Sequence, residues 1–222
     1  MKITEAASDE RGALAHGKRG DQTGNEVRIR EMNGTETGNA TFTLILRYPS
    51  AAMRQKFAKD GLEIANNNFI GYAQYGPAED PYAGRYGLHE AMKQFDRFAE
   101  VTIACNVDCS AKVGEILRHN GLNVNLYMRT ANEVAELTKL GFEQIPFDVN
   151  KCVAGDILWR QGHTAVCVEG KKEKDKMYSA TLTSSASMKK WASGAGPNTR
   201  DAAYLSIKKS TIGFKPGIIV AQ

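Results

Sequence analysis

The stretch "NVDCSAKVGEILRHNG" (residues 106–121) places Cys109 at the start of an apolar helical pattern. Asp108 is a good N-cap residue, so the pattern predicts a helix that begins at Cys109, and the glycine that closes the stretch ends it. A cysteine in a first helical turn lies in the positive field of the helix dipole, which can lower its pKa below about 8.5. Cys109 also shares a stripe with Val113 and Ile116. Two interpretations therefore stay open: a buried, inert thiol and a nucleophile.

A thiol nucleophile needs a base, and the chain has four histidines. His119 lies on the same predicted helix, about 15 Å further along it, and cannot reach the thiol. His89 belongs to a different predicted helix, and His16 to an irregular N-terminal segment. His163 is the candidate base that is left, because it begins a predicted strand directly after a glycine turn.

The predicted strand that begins at His163 carries small side chains on the same face, at Ala165 and Cys167. Small residues let a helix approach closely. We therefore expect the helix of Cys109 to pack on this face and to bring the thiol to the imidazole. The alternative is a half-exposed strand histidine with no catalytic role.

The rest of the chain predicts an α+β domain in which helices come first and a mostly antiparallel sheet follows. Thr130 and Glu133 predict a capping box at the start of one helix. Residues 8–39 are predicted to be irregular, and 40–48 to be a strand or the entry to a helix. Predicted helices cover 50–67, 88–98 and 130–141, and predicted strands cover 152–159, 163–170, 176–182, 202–209 and 217–222. We expect a single domain over 1–222, with a helical part (1–100), a catalytic core (101–182) and C-terminal strands (183–222).

Composition excludes several classes of protein. No run of 18 apolar residues is present, which predicts no membrane span. The N-terminus has no apolar signal region, which predicts synthesis in the cytoplasm. The four cysteines form no C-x-x-C pair, so we expect no metal site, and nothing else in the sequence calls for a cofactor. We also expect no disulfide, although Cys105 and Cys109 are close enough in sequence to form a disulfide.

The net charge of +4 is unevenly distributed. From Lys171 to the end there are ten Lys or Arg and three Asp or Glu, so this segment carries +7. Such a segment either solvates a surface or binds a polyanion, of which nucleic acid and an anionic bacterial wall polymer are two. A solvated surface is the favoured interpretation, and if the segment binds a polyanion we expect the wall polymer rather than nucleic acid.

The motifs together resemble the NlpC-type cell-wall cysteine peptidases, and most closely the peptidoglycan amidohydrolases of phage endolysins. The resemblance covers about residues 3–170. It is carried by "GDQTG" (20–24), "IGY.Q" (70–74), "DCS" (108–110) and the "GD-I-L…GHT" strand pair (155–164). The order of these pieces is more specific than any one of them.

The resemblance implies a papain-like α+β fold, with Cys109 as nucleophile, His163 as base and Tyr72 near the oxyanion. It implies peptidoglycan as the partner and the cell wall as the place of action. The family's motif continues with a serine and an apolar residue, whereas this chain has Ala111 and Lys112. The residue that orients the histidine is open between three positions, and the last 50 residues match nothing in the family. The three positions are Asp175, Ser179 and Glu169.

The sequence therefore predicts a hydrolase that cleaves an amide or peptide bond of the bacterial cell wall by a Cys–His thiol mechanism. One alternative is a wall-binding or phage structural protein that keeps the fold without catalysis. Another is a cysteine peptidase or acyltransferase that acts on other peptides. A glycosidase is a weaker alternative, because no pair of carboxylates stands out.

Overall fold

The computed structural model describes residues 1–34 and 41–170. The chain divides into two units, Met1–Lys172 and Glu173–Gln222, and all of the described residues belong to the first unit. The three strands predicted after residue 175 lie outside the described residues, so they stay predictions, as does a single domain over 1–222.

The first unit contains a six-stranded sheet in which every neighbouring pair is antiparallel. The six strands are β1 (Lys2–Ala6), β2 (Val27–Glu31), β3 (Leu44–Arg47), β6 (Glu143–Pro146), β7 (Ile157–Arg160) and β8 (His163–Glu169). Their order in the sheet is β2-β1-β8-β7-β3-β6. The predicted pair of strands at residues 152–170 forms β7 and β8, joined by a tight turn at Gly162.

Four α-helices and a second, two-stranded parallel sheet complete the described part of the unit. The helices are α1 (Ala51–Ala65), α2 (Gly87–Ala91), α3 (Cys109–His119) and α4 (Thr130–Lys139), and the small sheet pairs β4 (Ile70–Tyr72) with β5 (Cys105–Val107). Ser50 caps α1 as its sequence predicts, because its hydroxyl accepts a hydrogen bond from the Met53 amide at 3.3 Å. The architecture is α+β with a mostly antiparallel sheet, as predicted.

The large sheet is covered on both faces. The helices pack on one face, in an apolar cluster that includes Val113, Ile116 and Val166. The other face carries a smaller cluster that includes Ala165 and Cys167. We call these the helix face and the opposite face.

The prediction that helices precede the sheet is wrong. Strands β1 and β2 come from the N-terminal part of the chain, β2 from the segment predicted to be irregular, and β1 lies beside β8 in the sheet. The sequence of β1, "KITEA", has too few apolar residues to signal a strand, because its glutamate is buried through ion pairs rather than through hydrophobicity.

The helix predicted over 88–98 is also shorter than expected. Helix α2 ends at Ala91, and Phe98 begins a separate 3-10 turn. The side-chain amide of Asn67 donates to the carbonyls of Phe98 and Val101 at 2.8 and 2.9 Å, and Glu63 accepts from the Ala99 amide at 3.2 Å. These contacts hold the segment against the end of α1 and replace the hydrogen bonds that a continuous helix would make.

The "GDQTG" motif forms a compact loop behind the small sheet. The Asp21 carboxylate accepts hydrogen bonds from a series of following backbone amides, among them Gly24 at 2.6 Å and Glu26 at 3.1 Å. Gly20 packs so closely on Gly71 of β4 that a Cβ at Gly71 would overlap the Gly20 carbonyl group. The motif therefore has a structural role in supporting β4 and β5, which lead to Tyr72 and Cys109.

Candidate active site

Helix α3 begins at Cys109, directly after strand β5, as the sequence predicts. The Asp108 carboxylate caps it by accepting a hydrogen bond from the Ala111 amide at 2.8 Å. The helix ends before Gly121, whose positive φ of 84° closes it. The thiol is therefore fixed in the first turn of a well-capped helix.

A buried arginine holds the start of α3. The Arg85 guanidinium lies 3.0 Å from the second carboxylate oxygen of Asp108 and donates to the Met128 carbonyl at 2.6 Å. Both side chains of the ion pair are almost fully buried. No local sequence signal identified Arg85, because its partners lie more than twenty residues away in the chain.

Tyr72 lies beside the start of α3. It ends strand β4 and pairs with Val107 of β5, two residues before Cys109. Its side chain is buried, and its hydroxyl accepts a hydrogen bond from Gln74 at 3.2 Å. Burial is the main reason that the Tyr72 pKa is raised above its usual value, and the nearby Asp108 carboxylate adds to the shift. Tyr72 therefore stays a neutral hydroxyl near the thiol.

Cys109 meets strand β8 at the backbone of Thr164. The pairing of β1 with β8 runs from Lys2–Glu169 to Thr4–Val166. Beyond the end of this pairing, the backbone N–H of Thr164 lies beside the Cys109 sulfur. The backbone N–H groups of Thr164 and Ser110 both favour the ionised form of the thiol. Helix α3 thus places the thiol next to the residue that follows His163.

The prediction of which face of β8 helix α3 packs against is wrong. Helix α3 packs on the helix face, with Val166, whereas Ala165 and Cys167 belong to the opposite face. His163 alternates with them, and its ring stacks on Phe42 of that same cluster. Among the contacts of the described residues there is no hydrogen bond between the Cys109 thiol and the His163 ring. The thiol and the imidazole lie at the same end of β8, and Thr164 separates them in the strand.

Of the two effects that the sequence left open for Cys109, burial outweighs the field of the helix start in this structure. Burial, assisted by the charge of Asp108, raises the Cys109 pKa to about 12 and outweighs the helix start and the Thr164 amide. The residue is 7% exposed, whereas the other three cysteines are fully buried. All four thiols are free, so Cys105 and Cys109 form no disulfide. The resting thiol therefore holds its proton and needs a base before it can attack.

Two further ionisable groups lie near the thiol on the helix face. Lys112, at the position where the resemblance calls for an apolar residue, is buried and donates to the Thr4 carbonyl at 2.8 Å and its hydroxyl at 2.9 Å. Burial lowers the Lys112 pKa to about 7, although the nearby Glu5 and Cys109 oppose the shift. Lys112 therefore ties α3 to β1 through hydrogen bonds that do not require its charge.

Glu133 is the second group, and its predicted capping role is wrong. Arg129 is the N-cap of α4, and its amide donates to the Asn132 side chain at 2.8 Å. The Glu133 side chain is instead fully buried and accepts a hydrogen bond from the Thr164 hydroxyl at 2.7 Å. Its other carboxylate oxygen has no hydrogen-bond partner within the described part of the chain. Burial raises the Glu133 pKa to about 8, despite the bond from Thr164.

We expect Glu133 to make the fold lose stability as pH rises from about 4.5 to about 8. In that window the folded carboxyl keeps a proton that the unfolded chain has lost, so the slope is at most about 1.4 kcal/mol per pH unit. Glu133→Gln keeps the acceptor for Thr164 and should remove this slope in urea unfolding measured between pH 5 and 8. Glu136→Gln, on the same helix and partly exposed, is the control and should leave the slope in place. An equal slope in the Glu133→Gln protein would contradict the assignment.

One of the three candidates for the residue that orients His163 can be located. Glu169 is at the far end of β8, about 20 Å from His163, and lies 3.4 Å from the Lys2 ammonium. It therefore cannot contact the His163 ring, and its candidacy is wrong. Asp175 and Ser179 lie outside the described residues. The carboxylate that the structure does bring to His163 is Glu5, at 3.2 Å, which no sequence pattern indicated.

A cleft of about 440 Å³ lies beside the start of α3. Its lining includes Gln74, which bonds Tyr72, and Arg85, which bonds Asp108, together with Tyr86 and Arg129. Cys109 is not among its lining residues. The cleft therefore reaches Gln74 and Arg85, the hydrogen-bond partners of Tyr72 and Asp108, rather than the thiol itself.

Within residues 1–34 and 41–170, no three His, Cys, Asp or Glu side chains are grouped so that they could hold a metal ion. In the same ranges no helix is both long enough and apolar enough to cross a membrane.

Comparison with known proteins places this chain in a family. The family model described as "Endolysin-like domain" matches residues 3–174, which is most of the chain, and the chain belongs to that family. Apart from the first residue of β1, the match spans every strand and α-helix described above for the first unit. No significant match exists among curated proteins or among solved structures.

Proposed function

We propose that this protein is a phage endolysin that cleaves an amide or peptide bond of peptidoglycan by a thiol mechanism. The family match over residues 3–174 supports the cell wall as the place of action. The single observation that carries the chemistry is the position of Cys109, the first residue of a capped helix whose start meets the end of β8 at Thr164, the residue after His163.

In the proposed reaction, His163 takes the proton of the Cys109 thiol as the sulfur attacks the carbonyl carbon. The tetrahedral oxyanion is held by the Cys109 backbone N–H and the Tyr72 hydroxyl. Collapse of this intermediate breaks the C–N bond, and His163 gives its proton to the leaving amine. A thioester is left on Cys109. Water, deprotonated by His163, then attacks it and releases the carboxylate product and the free thiol.

The raised pKa of Cys109 makes this base necessary rather than optional. At neutral pH a thiol with a pKa of about 12 is protonated, so attack must be coupled to proton transfer. The reaction also requires the Cys109 sulfur and the His163 ring to come within hydrogen-bond reach of each other, and access to the sulfur must widen. The NlpC-type assignment and the papain-like fold are part of this proposal, and they rest on the motifs rather than on a matching structure.

A wall-binding protein without catalysis is the second candidate. The observation that favours it is the nearly closed thiol, with 7% of the residue exposed and its pKa raised by burial. Binding of anionic wall polymers by the basic segment after residue 170 fits either candidate, and so do peptidase or acyltransferase activities on other peptides.

Mass spectrometry of purified sacculi digested by the protein tests the proposal. Cleavage of a peptide or amide bond should release fragments with one new amino group and one new carboxyl group for each bond cut, and their masses identify the bond. Intact sacculi, under conditions in which the protein binds them, would support the wall-binding candidate. New reducing sugar ends without new amino groups would indicate a glycosidase and contradict the thiol mechanism.

A further inference from the structure

The opposite face of the sheet carries a charged group around His163 that the proposed mechanism does not yet use. We call it the Glu5 cluster, and its members come from β1, β2 and β8 together with the segment before β3. They are Glu5, Arg28, Arg30, Phe42 and His163. Glu5 precedes His163 by 158 residues in the chain, so only the fold brings the two together.

The His163 ring is held in one orientation by two contacts. Its Nε2 atom lies 3.2 Å from a carboxylate oxygen of Glu5. The face of the ring stacks on Phe42, with 5.9 Å between ring centres and 21° between planes. The ring's other nitrogen, Nδ1, makes no hydrogen bond within the described residues. One nitrogen is thus engaged, and the other is left for chemistry.

Glu5 is kept as an anion by two arginines. Arg28 donates to its carboxylate from Nε at 3.0 Å and from Nη2 at 2.8 Å, and Arg30 from Nε at 2.9 Å and from Nη2 at 3.2 Å. The Glu5 side chain is only 4% exposed, and burial alone would raise its pKa. The hydrogen bonds from His163, Arg30 and Arg28 outweigh burial and hold the pKa well below its usual range. Glu5 is therefore a permanent acceptor.

A permanent acceptor fixes the proton on the ring. Because an ionised carboxylate can only accept, the hydrogen on the 3.2 Å contact must belong to Nε2 of His163. The neutral imidazole is then the Nε2–H tautomer, and its lone pair is on Nδ1. When Nδ1 takes a second proton, the charged ring stays bonded to an anion that stabilises it.

We infer that Glu5 is the positioning residue of the proposed active site: it fixes the tautomer of His163 so that Nδ1 is the atom that takes the proton of Cys109. The inference rests on the proposed function and fills the role for which the sequence offered Asp175, Ser179 and Glu169. In the reaction the thiol proton moves to Nδ1 and then to the leaving amine. The Nε2 proton stays on His163, and Glu5 exchanges no proton.

The substitution Glu5→Gln tests this role, because glutamine keeps the size of the side chain but removes its charge. We expect kcat on a soluble peptidoglycan fragment to fall on the order of 100-fold with little change in KM, since the substitution leaves the binding cleft intact. Glu5→Asp should restore part of the rate. Glu169→Gln, at the other end of the sheet strand that begins at His163, is the matched control and should keep the wild-type rate. Full kcat in the Glu5→Gln protein would overturn the inference.

Nitrogen NMR of the imidazole ring reports the tautomer of His163, which would not change if the role of Glu5 were only structural. In the wild-type protein the neutral His163 ring should be the Nε2–H tautomer, and in Glu5→Gln it should become a mixture of tautomers. The His163 signal is assigned by its absence from His163→Ala. A wild-type ring with its proton on Nδ1 would overturn the inference even if Glu5→Gln failed to fold. The NMR result does not depend on activity, so it separates failure of this inference from failure of the proposed hydrolysis.

Discussion

Cys109→Ala should abolish hydrolysis of peptidoglycan, with a loss of at least about 10⁴-fold in kcat, because no other group can form the thioester. The measurement is the rate at which new amino groups appear in a suspension of purified sacculi. The stability of the fold should fall only modestly, because the substitution removes a single sulfur atom from a buried residue.

The control for this variant is Cys105→Ala. Cys105 is fully buried on β5, four residues before Cys109, so the control makes the same chemical change in the same part of the fold. We expect it to keep most of the wild-type rate at a temperature where both proteins are folded. A Cys109→Ala protein that still releases amino groups at the wild-type rate would rule out the thiol mechanism.

His163→Ala should lower kcat on the order of 10³-fold, because general acid and base catalysis contributes a factor of that size. The loss should be smaller than that of the nucleophile, since water can replace the base inefficiently. Added imidazole should recover part of the rate if the cavity that the ring leaves is open to the thiol. Amino-group release from a soluble peptidoglycan fragment gives kcat and KM separately.

The matched control is His89→Ala, which removes an imidazole that also bonds a glutamate, Glu115, at 3.1 Å. His89 lies on α2, and we expect its loss to leave kcat near the wild-type value. A His163→Ala protein as active as the His89→Ala control would mean that another group takes the thiol proton, and Glu133 and Lys112 would then be the nearest ones to test.

The local features of this fold could be predicted from the sequence. The cap at Asp108, the start of α3 at Cys109, the start of α4 at Thr130 and the tight turn before β8 each depend on residues within a few positions of one another. Short-range hydrogen bonds and turn geometry decide these features, and the sequence displays them directly.

The face on which α3 packs could not be predicted in the same way. Alternation along β8 correctly groups His163 with Ala165, but a sheet that is buried on both faces gives no polar side to mark the outside. The helix therefore packs against Val166, one residue out of phase with the expectation. The direction of the Cys109 pKa shift stayed open for a related reason, because burial is set by the whole fold and the helix start only by its first turn.

The supporting residues of the site were invisible to sequence reasoning. Glu5 contacts His163 from 158 residues away in the chain, and Arg85 contacts Asp108 from 23 residues away. Glu133, which accepts a hydrogen bond from Thr164, resembled an ordinary capping residue. Each is an ionisable side chain that the fold buries, and such burial becomes evident only once its surroundings are known.

The most direct test of the central claim, that Cys109 and His163 act on the same step, is a double-mutant cycle. We would measure kcat/KM for amino-group release by Cys109→Ser, His163→Ala and the doubly substituted protein. If the thiol and the imidazole work as one unit, the double variant should be no slower than the slower single variant, since removing either already disables the step. Losses that multiply in the double variant, or a single variant with the wild-type rate, would contradict the shared role of the two residues.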